Sequence, residues 1–339
     1  MHLLVRDRDA LEPVRSQIRD AGAYGQVSAM LWEGPTLPYA DGMVNLVLWT
    51  DGRVEPDSKE IDRVLTPLGV AWLHRDGAFT SHQKPWPADV DEWSHARYDA
   101  TGNAVSKDKR VGPPRFLQWE ATPRWNRGVK TSGLVSAQGR LFFILDDSHF
   151  ASRSPTWSLI ARDAGNGIQL WRHPLPSWSG SRGGKKVGPA QMNRRLVARG
   201  DKVYATLAEF APVSVLNAAT GEIIRTLEHT EPAEEFLLSD GILVALVNPN
   251  SAADRRRGQD RSMRLVAVDP QSGKRLWEHN AAWILPMTTS ADGKQVVYHD
   301  GTIIQSLDLR SGAPRWTSPP TGQKVVFRDQ ANPDSPGAE

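Results

Sequence analysis

The chain has 339 residues, 39% hydrophobic and 24% charged, with a formal net charge of +2 and no cysteine. This is the profile of a folded chain rather than a disordered one, and its charge balance offers no footprint for nucleic acid. Without cysteine there are no disulfides, thiolate nucleophiles or cysteine metal sites. No run approaches the roughly 18 apolar residues of a membrane-spanning helix, and MHLLVRDRD turns charged too soon for a signal-peptide core.

The first 74 residues alternate strand and helix signals. HLLV (2–5) reads as a buried strand. From Asp9 to Ala21, Leu11, Val14 and Ile18 recur at helical spacing, and Gly22 supplies a stop. VSAMLW (27–32) and MVNLVLW (43–49) read as further strands. DSKEIDRVL (57–65) places Ile61, Val64 and Leu65 on one helical face behind a capping Asp57, and GVAWLH (69–74) is a fourth strand. Such alternation predicts a parallel, doubly wound sheet.

Within this half, LPYADGMVNLVLW (37–49) and EIDRVLTPLGVAWLH (60–74) resemble class I S-adenosylmethionine-dependent methyltransferases, where an acidic turn precedes a buried strand and a helix ends in "RVLxPGG". Leu68 stands where that family has the first glycine of its turn. The glycine-rich cofactor turn that precedes the first strand in the family has no counterpart before HLLV. The resemblance offers Asp7 or Asp9 as a ribose-binding acid; the plainer reading is a solvated charge at a strand end. Residues 1–81 are therefore expected to form a partial methyltransferase-like α/β segment. A linker follows at 82–93 (HQKPWPADVDEW), marked by two prolines and mixed polarity.

From Asp91 onward helical periodicity gives way to short strands separated by Gly, Asn, Asp and Ser turns. One phrase recurs four times: SLIARDAGNGIQLWRH (158–173), SVLNAATGEIIRTLEH (214–229), RLVAVDPQSGKRLWEH (264–279) and IQSLDLRSGAPRWTS (304–318). Its glycines, Gly167, Gly221, Gly273 and Gly312, are separated by 54, 52 and 39 residues. Each copy follows a Gly-led β run, and a period of several short strands is that of a β-propeller blade. Asp163, Asn217, Asp269 and Asp308 accept backbone N–H groups within a tight hairpin, and the glycine closes it in the left-handed conformation. Trp171, Trp277 and Trp316, four residues after the glycine, are expected to fill the gap between blades. Arg225 holds that place in the second copy, so its seam is expected to be differently built.

The phrase resembles the repeat of pyrroloquinoline-quinone-type (quinoprotein alcohol dehydrogenase-like) propellers, "A-x-D-x-x-T-G-x-x-x-W". Residues 91–121 add the family's opening, with a turn from Asp99 to Asn103 and a first strand ending in Trp119. The resemblance implies a mainly β fold of four-stranded antiparallel blades over 94–329. FLQW (116–119) is an outer strand, four fuller units follow, and QKVVFRD (323–329) opens another; residues 330–339 read as a disordered tail. Four to five blades fall short of the usual ring, so the chain is expected to be part of a longer protein. The order of the two halves resembles that of large bacterial quinone-propeller repeat proteins.

No catalytic or metal-binding constellation emerges. The repeat acids are accounted for by turn chemistry, and the adjacent cysteine pair of many quinoprotein dehydrogenases has no counterpart in a chain without cysteine. His95, His149, His173, His229, His279 and His299 lack metal spacing, and His173, His229 and His279 recur as structural members of a blade. The insertions at 176–195 and 248–262 hold Arg182, Lys185, Lys186, Arg194, Arg195, Arg255, Arg256 and Arg257. They form a basic rim for an anionic polymer if they share a face, and solvated loop charge otherwise. GSRGGKK (180–186) lacks the spacing and the following Ser or Thr of a phosphate loop. The reading is a non-catalytic binding or scaffold propeller with a protein partner or an anionic polymer. The alternative is a quinoprotein oxidoreductase or a completed methyltransferase, using pyrroloquinoline quinone or S-adenosylmethionine. Family resemblance suggests the periplasm.

Overall fold

Strand β1 (His2–Val5) pairs in parallel with β2 (Ser28–Leu31) across helix α1 (Arg8–Asp20). This computed structural model describes residues 1–50, 57–110, 112–113, 117–121, 131–146, 148, 156–175, 190–250 and 262–322. Two units result, Met1–Pro87 and Ala88–Glu339. In the first, the Asp7 side chain caps α1 by accepting the Asp9 N–H at 2.9 Å, so that carboxylate serves the helix terminus. Asp57 caps α2 (Ser58–Val64) in the same way, and Ile61 and Val64 lie buried on its inner face.

Strand β3 (Val44–Trp49) runs parallel to β4 (Leu65–Arg75), and β4 runs antiparallel to β5 (Ala78–Gln83). The expected single parallel sheet is thus, among the described residues, two small sheets. The turn Asp76-Gly77 explains the difference. Both residues have positive φ, 48° and 81°, which is the two-residue hairpin geometry that sends a strand straight back. Leu68 also has a positive φ, 66°, at the position where the methyltransferase pattern has glycine.

The second unit is a partial propeller of four antiparallel four-stranded blades. Blade 1 comprises β6 (Thr131–Ala137), β7 (Arg140–Asp146), β8 (Trp157–Asp163) and β9 (Gln169–Leu175). Blade 2 comprises β10 (Leu196–Arg199), β11 (Lys202–Thr206), β12 (Val213–Asn217) and β13 (Ile223–Leu227). Blade 3 is β14 (Ala233–Ser239), β15 (Ile242–Val247), β16 (Met263–Val268) and β17 (Arg275–Ala281). Blade 4 is β18 (Ser290–Ala291), β19 (Gln295–His299), β20 (Ile304–Asp308) and β21 (Pro314–Thr317).

A middle strand such as β15 has a blade against each face, which is why all six of its residues, Ile-Leu-Val-Ala-Leu-Val, are apolar and buried. Phe142, Ile144 and Leu159 of blade 1 pack with Leu196 and Leu216 of blade 2. Tyr204 and Val215 of blade 2 meet Phe236 and Val266 of blade 3, and Val244 and Leu265 of blade 3 meet Tyr298 and Leu307 of blade 4. Leu117, Gln118 and Trp119 lie outside any strand, which corrects the outer strand expected from FLQW. Gln118 and Trp119 grip the blade 1 hairpin through their side chains instead, donating to the carbonyls of Gly165 and Ala164. QKVVFRD lies outside the described residues.

Candidate functional site

The repeated hairpins join the third and fourth strands of each described blade. The Asp163 carboxylate accepts the N–H groups of Gly165 and Asn166 at 2.8 and 3.0 Å. Asn217 does the same for Ala219 and Thr220, and Asp308 for Arg310 and Ser311. Asp269 takes the Gln271 N–H and the Ser272 hydroxyl. The hydroxyl bond from Ser272 leads in holding the Asp269 carboxyl low; for Asp308 the Ser311 N–H leads. Gly167, Gly221, Gly273 and Gly312 have φ of 72°, 76°, 80° and 72°, which only glycine adopts without strain.

Each of these glycines but one lies beneath an indole from the preceding segment. A Cβ on Gly221 would stand 2.6 Å from Trp171, and one on Gly312 2.7 Å from Trp277. The Trp171 indole donates to the Ala218 carbonyl at 3.0 Å and the Trp277 indole to that of Leu309 at 2.9 Å. Gly167 is covered in the same fashion by Trp119. Over Gly273 the cover is Arg225, whose Cδ and guanidinium nitrogen lie 3.1 Å from where a Cβ would be. Trp316 belongs to the last described blade. It is 45% exposed and donates at 2.9 Å to Gln295 of its own blade.

Near the axis a strap, residues 91–103, crosses the innermost strands of all four blades. The Ser136 N–H of β6 donates to the Trp93 carbonyl at 2.7 Å, and the Ala198 N–H of β10 to that of Ser94 at 2.9 Å. In β14 the Leu238 N–H donates to His95 Nε2 at 3.0 Å, and in β18 the Ala291 N–H donates to the Ala100 carbonyl at 2.8 Å. Ladder register makes the four donors equivalent, since Ser136, Ala198, Leu238 and Ala291 pair with Leu141, Val203, Leu243 and Val296. These are the inward-facing edge amides of the blades, and the strap supplies their acceptors.

Two ionisable groups stand at this hub. His95 is buried, 7% exposed. Because its Nε2 accepts, its Nδ1 carries the proton and donates to Ser94 Oγ at 2.8 Å. Burial pushes the imidazole down to about 4. Glu235 of β14 is 1% exposed and accepts the Met287 N–H at 3.1 and 3.2 Å and the Thr289 hydroxyl at 3.2 Å. Arg194 reaches it at 3.4 Å and donates to the Thr289 carbonyl at 2.9 Å. Burial, with the neighbouring Glu234 adding and Arg194 opposing, raises the Glu235 carboxyl to about 7.

Of the basic residues in the 176–195 insertion, the structure describes Arg194 and Arg195. Arg194 and Arg195 end a short 3-10 helix, Ala190–Arg195. Arg195 is buried at 8% exposure, donating to the carbonyls of Glu234 and Glu209, so neither arginine is a rim charge. Arg182, Lys185, Lys186, Arg255, Arg256 and Arg257 lie outside the described residues. His279 bonds Tyr298 across the blade 3–4 seam at 2.8 Å. Sequence reasoning missed the pairing of His95 with Leu238 and of Arg194 with Glu235; no local spacing announces partners 143 and 41 residues apart.

Among the described residues the ionisable groups of the hub are engaged within the protein itself. A cavity of about 30 Å³ lies between the strap and β10 and β14, lined by His95, Arg97, Asp99, Arg194 and Thr289, room for a water molecule or two. The Glu235 carboxylate is already taken by Met287, Thr289 and Arg194. Among the described residues no group of three or more His, Cys, Asp or Glu gathers to hold a metal.

The family model described as "outer membrane protein assembly factor BamB" matches residues 96–283 and 155–327. No curated protein matches significantly. Among solved structures, the quinohemoprotein alcohol dehydrogenase from Comamonas testosteroni is 12% identical with a TM-score of 0.46, covering 68% of this chain and 41% of its own. A europium-containing methanol dehydrogenase is 18% identical with a TM-score of 0.35, covering 55% and 41%. BamB from Moraxella catarrhalis is 10% identical with a TM-score of 0.32, covering 55% and 61%. The chain thus spans about two fifths of these dehydrogenases and three fifths of that BamB.

Proposed function

We propose, from the premise that the chain belongs to the family of outer membrane protein assembly factor BamB, that it is a non-catalytic propeller serving as a scaffold for a protein partner. The supporting observation is the chemistry of the hub. His95, Arg194 and Glu235, the groups an enzyme would keep for substrate, are spent on bonds that join blades 2, 3 and 4 to each other and to the strap. A family of outer-membrane assembly factors supports a protein partner and a periplasmic setting. Residues 94–329 would be the scaffold, 82–93 its linker, and 1–81 a methyltransferase-like appendage in which Leu68 replaces the turn glycine.

The competing reading is a quinoprotein oxidoreductase. Isothermal titration of the full chain with pyrroloquinoline quinone and calcium, followed by a dye-linked assay with primary alcohols, separates the two. The scaffold reading expects no saturable heat and no dye reduction; stoichiometric binding with turnover overturns it. The same titration with S-adenosylmethionine tests the appendage. Recognition of an anionic polymer rests on Arg255, Arg256 and Arg257, and the engagement of Arg194 and burial of Arg195 remove two charges from that rim.

A further inference from the structure

We propose that the strap is a clasp holding the four blades together and that His95 is its proton-controlled release, shut while the imidazole is neutral and loosened when it is protonated. Each blade gives the clasp one bond from the same inner-strand position, and three of the four acceptors are backbone carbonyls, which do not titrate in this range. The fourth is a ring nitrogen. An imidazolium has no lone pair with which to accept the Leu238 N–H, so protonation turns this attractive contact into two opposed donors. The change falls at the middle of the strap, between the bonds to blades 2 and 4.

The charges around the imidazole favour the shut form. From its own segment Asp99 favours the imidazolium; from blade 2 and the 3-10 helix Arg199 and Arg194 oppose it. Arg97 lines the same cavity, and Glu235 of β14 is engaged by Arg194. Burial is the largest influence, and it is relieved once the strap lifts. Tyr98, at φ 72°, receives the Ser94 hydroxyl on its carbonyl, while its own hydroxyl donates to Asp91 at 2.6 Å. The base of the strap therefore stays anchored when the middle is released.

Hydrogen exchange of the full chain, with rates normalised to intrinsic exchange at each pH, tests the clasp. Opening returns the imidazole from about 4 to its ordinary 6.5, so opening becomes about 20-fold easier at pH 5 than at pH 7. The protection of the Leu238 amide should fall by about that factor, with Ala198 and Ala291 following. His95→Gln keeps an acceptor in the same place but cannot titrate, and its protection should change less than about twofold over that range. Equal pH profiles for H95Q and wild type, or a flat wild-type profile, overturn the proposal. The His95 ring resonance of wild type gives an independent readout: a midpoint below pH 5 is expected, and a midpoint near 6.5 overturns it.

Discussion

Gly221→Ala and Gly200→Ala pose the same backbone problem in two different surroundings. Both glycines are left-handed, at φ 76° and 58°, and an L-residue there costs about 1–2 kcal/mol. A Cβ on Gly200 meets nothing within 4 Å, whereas one on Gly221 comes within 2.6 Å of Trp171 Cδ2 and 2.8 Å of Cε3. The indole must move. It is 9% exposed and bonded to the Ala218 carbonyl. Losing that bond costs about 1 kcal/mol, and losing about a third of the ring's packing costs about 1–2 kcal/mol more, since complete Trp→Ala truncation costs about 3–5. The expectation is about 1–2 kcal/mol for G200A and about 3–5 for G221A. Urea denaturation followed by circular dichroism, repeated in a W171A background, measures both. Removing the indole should bring the cost of G221A down to that of G200A, because the clash then has no second partner. If the two glycine variants differ by less than about 0.5 kcal/mol, or if W171A leaves the difference intact, the indole does not dock as described.

Arg225→Trp should stabilise the chain by about 1–2 kcal/mol, because an indole would cover Gly273 as Trp171 covers Gly221; the loss of Arg225's attraction to the Asp269 carboxylate trims the gain. A melting temperature that falls in R225W would refute this. Glu235→Gln should stabilise by about 3 kcal/mol at pH 8 and by nothing at pH 4. The sign follows from the raised carboxyl, about 7 against 4.5: between those values the folded chain holds a proton that the unfolded chain does not, so wild-type stability falls as pH rises through that window. Denaturation midpoints of both proteins across pH 4 to 8 check it, and parallel curves would show that folding leaves the Glu235 carboxyl unshifted, against the raised value.

The repeat was legible because its physics is local. Asp163 to Gly167 is a complete hairpin in five residues, and the apolar alternation on either side needs no distant partner to be recognised. The cover of each glycine was half legible: a Trp at fixed spacing pointed to a seam, but only the register shows that Trp171 serves the hairpin of blade 2. The strap was illegible. Ser94, His95 and Tyr98 look like an ordinary polar turn, and the burial of His95 is created by β10 and β14, about 100 to 140 residues away. Arg194 and Arg195 misled for the same reason, because a run of cations beside a Gly-rich insertion reads as solvated until β14 and the Thr289 loop enclose it. In the first unit the Asp76-Gly77 pair is a local hairpin signal that leads into β5, beyond GVAWLH, the last element read from the sequence there.

The outward face of blade 4 differs from the equivalent face of blade 3. Pairing aligns Val244, Leu246, Leu265 and Ala267 of blade 3 with Val297, His299, Ile304 and Ser306 of blade 4. The first set is buried in the blade 3–4 seam. In the second, two of the four are polar, and the Ser306 hydroxyl donates to Gln295 Oε1 at 2.8 Å beside the Trp316 indole. His299 is likewise engaged, by the Thr321 hydroxyl and the Gly301 N–H. A face whose polar groups satisfy one another gains little from an apolar neighbour, since burial would add desolvation without new partners. At the other end Trp119 covers Gly167 from a segment that forms no strand. The outward face of blade 4 is thus, among the described residues, more polar than the same face of blade 3. Cohesion must then come from the seams and the axis. The seams are apolar, and one of them has an arginine in place of its indole. That leaves the strap as the element that touches every blade, and it explains why a buried, neutral histidine is held at its centre.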